Sequence, residues 1–170
     1  MKAFSDHRFL LWLLLLFPFL GGCNNSDDIT AIFTGKKWKL TLITIDGQSS
    51  WPMLLWANSN TSYETSMKHL TETAGSYTVQ FNGIVQDHQI NGALNGTFIT
   101  NTFSGTWSAN DSSREFSAAV NGSPEADVLA QTFATGLKTA HAYEGDTEHL
   151  YLLYRVGAVT YRMFFRPAAS

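Results

Sequence analysis

Alternation of apolar and polar positions predicts most of the chain beyond residue 35. Trp38, Leu40 and Leu42 fall on one side of a strand over Lys36 to Ile45, with Lys37, Lys39 and Thr41 on the other. Asp46-Gly47 turns the chain. Tyr77, Val79 and Phe81 alternate again, and Asn91-Gly92 and Asn95-Gly96 are dipeptides of the kind that closes tight hairpins, so turns are expected there. Phe103, Gly105 and Trp107 predict an inward face, with the mid-strand glycine marking a bulge or a close backbone approach. After a turn at Asn110-Asp111-Ser112-Ser113, Phe116, Ala118 and Val120 form one side of a returning strand. Three closing strands follow: Thr139 to Tyr143, His149 to Arg155, and a run in which Val159, Tyr161, Met163 and Phe165 alternate with polar residues. The middle one is apolar on both faces (Leu150, Leu152 and Tyr154 against Tyr151 and Leu153), the pattern of a strand covered on both sides.

A different period interrupts the strands. Ala126, Leu129, Ala130, Phe133 and Leu137 make a helical stripe. Ser123 reads as its N-cap and Pro124 as its first residue, with Glu125 and Asp127 near the positive end of the dipole and Lys138 near the other. Tyr63, Met67 and Leu70 suggest a weaker helix over Tyr63 to Thr73, and Ile29 to Gly35 reads as a lead-in turn or short helix. The fold class is therefore α+β, mostly β: a strongly curved antiparallel sheet, or partly open barrel, wrapped on a helix over residues 124–138. The cluster Trp51-Pro52-Met53-Leu54-Leu55-Trp56 has no clear period. Exposed, Trp51 and Trp56 are a candidate aromatic contact surface; buried, they plug one end of the core, the reading that large aromatics favour.

The N-terminus has its own pattern. Lys2 and Arg8 precede the apolar run Phe9 to Leu20, which is shorter than the roughly 20 residues of a membrane-spanning helix and is followed by small residues. Leu20-Gly21-Gly22-Cys23 resembles the lipobox of bacterial lipoproteins. The resemblance implies cleavage between Gly22 and Cys23, acylation of Cys23, and a membrane partner reached through that anchor. Residues 1–22 are then a signal peptide, 23–32 a polar tether and 33–170 a single domain. Two or more acyl chains would hold the chain on the membrane, each buried CH₂ contributing about 0.8 kcal/mol. Cys23-Asn-Asn-Ser-Asp-Asp28 also looks like the acidic tag of surface-exposed outer-membrane lipoproteins, although a periplasm-facing position fits equally well.

Composition narrows the function classes. A formal charge of −3 and an isoelectric point near 5.9 argue against general nucleic-acid binding. One cysteine in the chain rules out an intramolecular disulfide, so the core must stabilise the fold. His69, His88, His141 and His149 are scattered without metal-ligand spacing. Glu144, Asp146, Glu148 and His149 form the densest polar group, as expected of a solvated turn. Asp87-His88 lacks a serine in nucleophile-elbow context. No catalytic residue, metal or cofactor is called for.

The Lys36-Lys-Trp-Lys-Leu40 strand, Phe103-Ser-Gly-Thr-Trp107, the Ser123-Pro-Glu-Ala-Asp127 helix start and Tyr143…Asp146…Leu150-Tyr-Leu…Phe164 together resemble the META domain of HslJ-like lipoproteins over roughly residues 33–166. That resemblance implies a non-enzymatic envelope protein, linked in some relatives to stress or drug tolerance, and brings no catalytic residues; a monomer is expected. Two functions follow as expectations. One is an interaction or structural module for a protein or glycan partner; the other is a lipocalin-like carrier of a small apolar ligand. The stripe of the 124–138 helix, with Trp38, Trp107 and Phe116, has the bulk to fill the concavity, which favours the module.

Overall fold

The computed structural model describes residues 29–169. Its elements are α1 (Ile29–Phe33), β1 (Lys37–Ile45), a 3-10 turn (Met53–Trp56), α2 (Tyr63–Glu72), β2 (Thr78–Gln86), β3 (Gln89–Thr97), β4 (Thr102–Asn110), β5 (Phe116–Asn121), α3 (Val128–Thr139), β6 (Ala140–Gly145), β7 (Leu150–Val156) and β8 (Val159–Pro167). The eight strands form one antiparallel sheet in the order β5-β4-β3-β2-β1-β8-β7-β6. The two end strands curl towards each other, joined by a bridge between Glu115 and Ala142 and by the Tyr143 amide donating to the Arg114 carbonyl at 3.0 Å. The sheet is a partly open barrel without a continuous closing ladder.

Glycine allows this curvature, and here the structure departs from the sequence pattern. Asn91-Gly92 and Asn95-Gly96 are not turns. Both lie inside β3, and the β2–β3 reversal falls at Asp87-His88, with Asp87 in the left-handed region at φ 55°. The register alternates small and large residues across the inner face: Gly96 opposite Phe103, Leu94 opposite Gly105, Gly92 opposite Trp107. A Cβ on Gly92 would collide with the Asn82 carbonyl oxygen and the Gly83 backbone, and one on Gly105 with the Ala119 carbonyl oxygen. Close backbone approach, rather than turn geometry, requires glycine at these positions.

The concave side is filled from two helices. Phe33 of α1 sits among Phe81, Trp107, Phe116 and Tyr143, with ring centroids 4.7–5.8 Å away. Phe133 of α3 sits among Tyr77, Phe98, Phe103 and Phe165 at 6.0–6.1 Å. Ile29 and Ile32, in the segment read as tether, are also buried, so α1 belongs to the core. Gly136 lets α3 settle onto β7 and β8, since a Cβ there would lie 2.6 Å from the Met163 sulfur.

Helix α3 starts later than its sequence suggests. Its N-cap is Asp127, whose Oδ1 accepts from the Ala130 amide at 3.0 Å, while Ser123 to Ala126 lie outside the helix. Asp127 is buried, and a buried carboxylate has to find donors. Tyr77 Oη donates to its Oδ1 at 3.1 Å and Ser66 Oγ to its Oδ2 at 2.8 Å; Trp56 Nε1 in turn donates to Ser66 Oγ at 2.9 Å. One side chain thus ties α3, the start of β2, α2 and the 3-10 turn together. Tyr77, expected within the alternation of β2, instead precedes it at φ 49°. That conformation is costly for a bulky residue. It is held by the buried ring, the bond to Asp127, and backbone bonds to Phe98 and Leu40.

Two consequences can be measured by urea unfolding. Asp127→Ala should lose about 3 kcal/mol, because it strands the Tyr77 and Ser66 hydroxyls and uncaps α3. Gly92→Ala should lose about 3 kcal/mol or more by overpacking, although alanine is neutral or better in most strands.

Candidate interaction surface

The outer face of β1, β8, β7 and β6 differs from the rest of the sheet. A β-bulge between Leu40 and Leu42 inserts an extra residue into β1. The bulge shifts the inward set from Leu42 to Ile43 and Ile45, and Leu42 turns outward opposite Phe164. Tyr151 pairs with Phe164 from the other side, and Glu144 with Tyr151. A strip of Leu42, Phe164 and Tyr151 therefore crosses three strands, each residue half-buried. Thr44, Arg162, Leu153 and Ala142 form the next row. The Tyr151 and Phe164 rings meet edge to face at 5.0 Å, and the His149 ring lies 6.4 Å from Tyr151 at 17°.

Charged groups surround this strip. The Arg162 guanidinium lies 6.0 Å from the Tyr151 ring and pairs with Glu144 at 3.4 Å and Asp46 at 3.6 Å. His149 Nδ1 is 3.2 Å from Asp146 Oδ1. The same oxygen accepts from the Glu148 and His149 amides, and these bonds hold the Asp146 carboxyl below its ordinary range. Strands β2 to β5 contain no Asp, Glu, Lys or Arg, so the charged residues of the sheet are Lys37, Lys39, Glu144, Arg155, Arg162 and Arg166.

The strand His149 to Arg155 is therefore not covered on both faces as its composition suggests; its outward Tyr151 and Leu153 are half-exposed. The sequence carried the signal of this surface, and the double-sided apolar pattern read as burial hid it. The tryptophans lie elsewhere. Trp56 is buried, its ring 6.1 Å from Trp51 and 5.1 Å from Tyr63, so it plugs the core between the 3-10 turn and α2. Trp51 is half-buried against it, and the exposed apolar residues of that segment are Met53 and Leu54. Gly22 and Cys23 lie outside the described residues. His69, His88, His141 and His149 sit on four separate elements or turns, and among the described residues no group of three or more His, Cys, Asp or Glu could hold a metal ion.

A second polar feature is a shallow cleft of about 540 Å³ lined by Asn60, Thr61, His69, Thr100, Glu125 and Asp127 among others. Its carboxylates are occupied by the protein itself. Glu125 accepts from the amides of Ile99, Thr100 and Asn101 at 3.1, 2.7 and 2.6 Å and so fixes the β3–β4 loop. Desolvation alone would raise its pKa, but the backbone donors of Asn101, Thr100 and Ile99 outweigh it and hold the carboxyl at about 2.

A family model described as a domain of unknown function, DUF4847, matches residues 24–167. The chain belongs to the DUF4847 family. Its fold is similar to that of a DUF4847 family protein from Bacteroides vulgatus known from a crystal structure, with a TM-score of 0.58 and 19% sequence identity, over 84% of this chain and 100% of that one. No curated protein matches the chain. In this DUF4847 protein the outer strip and the Glu125 clamp are defined by geometry alone.

The clamp makes stability depend on acid. The folded carboxyl titrates near 2, below its ordinary 4.5, so its contribution is complete above about pH 4.5 and fades as pH falls towards 2. Glu125→Gln should lower stability at pH 7 by about 2 kcal/mol, allowing for partial exposure. It should also flatten the pH dependence between 4.5 and 2, as read by thermal unfolding at a series of pH values.

Proposed function

We propose that this DUF4847 protein is a lipid-anchored envelope protein whose domain acts as a non-enzymatic interaction module, meeting its partner through the outer face of β1, β8 and β7. The observation that carries the reading is the half-exposed strip Leu42, Phe164 and Tyr151, which the β1 bulge completes by turning Leu42 outward. Contiguous apolar surface rimmed by polar groups marks interaction sites. The likeness of Leu20-Gly-Gly-Cys23 to a lipobox supplies the anchor, and the likeness to META domains fits a non-enzymatic role. The partner is a protein or glycan of the envelope, or of whatever the anchored domain faces. The filling of the concave side by Phe33 and Phe133 favours the module over a carrier of small apolar ligands.

Photo-crosslinking in intact cells tests the surface. A photoreactive amino acid at position 151 or 164 should give discrete adducts, whereas one at Ser104, on the charge-free half of the sheet, should not. Equal patterns from both halves of the sheet would sink the assignment. Fractionation tests the anchor separately: Cys23→Ala should move the protein out of the membrane fraction, and protease shaving of intact cells then separates surface from periplasmic placement.

A further inference from the structure

We propose that the cation row Lys37, Lys39 and Arg166, together with the ring strip beside it, binds an acidic polysaccharide bearing carboxylates or sulfates; this rests on the interaction-module reading and names the chemistry of the partner. Lys39 and Arg166 are direct cross-strand partners on the outer face of β1 and β8, and Lys37 lies two residues along the same face. Like charges placed opposite each other weaken a sheet. Among the described residues, no carboxylate forms an ion pair with any of the three. Of the acids on this half of the sheet, Asp46 and Glu144 are held by Arg162 and Asp146 by its turn and His149, while Glu148 is exposed in that turn and forms no ion pair with the row. A cation row left without an ion-pair partner is suited to an anion from outside.

The row is also pre-set. Lys39 Nζ donates to the Ser76 carbonyl at 2.5 Å and to Ser76 Oγ at 2.8 Å, and Ser76 Oγ donates to the His69 carbonyl at 2.7 Å. Two of the three ammonium donors are spent on fixing its position, leaving one for a ligand. Burial lowers the Lys39 ammonium to about 8, so the cation still predominates at neutral pH. Arg166 is exposed, and its planar fork suits a carboxylate or sulfate. The chain carries net negative charge, so any attraction of an anion is local to this face.

Two observations favour a glycan over a peptide. β1 is paired on both edges by β2 and β8, and β8 by β1 and β7, so no peptide strand can add to this part of the sheet. The strip of Phe164 and Tyr151 offers ring surface for the C–H faces of sugars beside the cations that would hold their acidic groups.

The test is retention of the full-length chain, in a non-ionic detergent, on immobilised heparin and polygalacturonate, with dextran as the neutral control. Wild type should be retained on the acidic polymers in a salt-dependent manner and not on dextran. Arg166→Gln and Phe164→Ala should each weaken binding tenfold or more, whereas Lys68→Gln, on the exposed face of α2, should leave it unchanged. Arg166→Gln should melt at the same or a higher temperature, because it relieves repulsion; a merely structural arginine would not behave so. Equal loss in Arg166→Gln and Lys68→Gln, an unaffected Phe164→Ala, or no retention on either acidic polymer overturns the proposal. If protease-sensitive adducts still form at position 151, the glycan assignment fails while the module reading stands; if those adducts are absent as well, both fail.

Discussion

A buried carboxylate sets the terms on which this fold closes. Asp127 has to be met by donors, and the donors come from Tyr77 at the head of β2, Ser66 on α2 and the first turn of α3. Removing one partner of such a network leaves the others desolvated and unpaired, so loss of Asp127 weakens the contacts of all these elements at once. The network also explains two local irregularities. Tyr77 keeps a left-handed backbone because both its hydroxyl and its backbone are engaged, and Trp56 is drawn inward by the serine that already serves Asp127. Burial raises the Tyr77 phenol, with the Asp127 charge adding to it, so the hydroxyl remains a donor at any ordinary pH.

Around that node the sheet divides into two halves of different character. Strands β2 to β5 alternate glycine or alanine with large apolar side chains on the concave side and present mainly uncharged Asn, Gln, Ser and Thr outward, with Ile84 exposed among them. Strands β1, β6, β7 and β8 hold the charged side chains of the sheet and the outward Leu42, Tyr151, Leu153 and Phe164. Helix-borne phenylalanines occupy the concave side, and the half-exposed strip lies on the convex one. The β1 bulge shapes both faces: the same extra residue that brings Ile43 to the core delivers Leu42 to the outer strip.

Much of the architecture was legible along the chain. The strands around Trp38, Phe103 to Trp107, Phe116 to Val120 and Met163 to Phe165 occur where alternation places them, and the stripe Leu129, Ala130, Phe133 and Leu137 is the buried face of α3. The errors share a cause, since each residue misread has two roles that local sequence does not distinguish. Asn-Gly closes hairpins or permits close strand packing. An acidic residue before a helix is a favourable charge or the cap itself, and Ser123 gave way to Asp127 because Asp127 was also needed by Tyr77 and Ser66. The outer strip stayed hidden because Tyr151 and Leu153 look the same in sequence whether another layer covers them or not.

What the sequence by itself determined is spacing: which positions share a face, where apolar bulk accumulates, and that Leu20-Gly-Gly-Cys23 has the form of a lipidation signal. Such properties need only the period of a strand or helix, which neighbouring residues fix. The tertiary structure alone decided which glycines turn the chain, which carboxylate caps α3, that Trp56 lies inside, and that Lys39 faces Arg166 across a strand boundary. Those depend on cross-strand register and on donors supplied from distant segments. Residues 39 and 166 become neighbours only when the last strand pairs with the first.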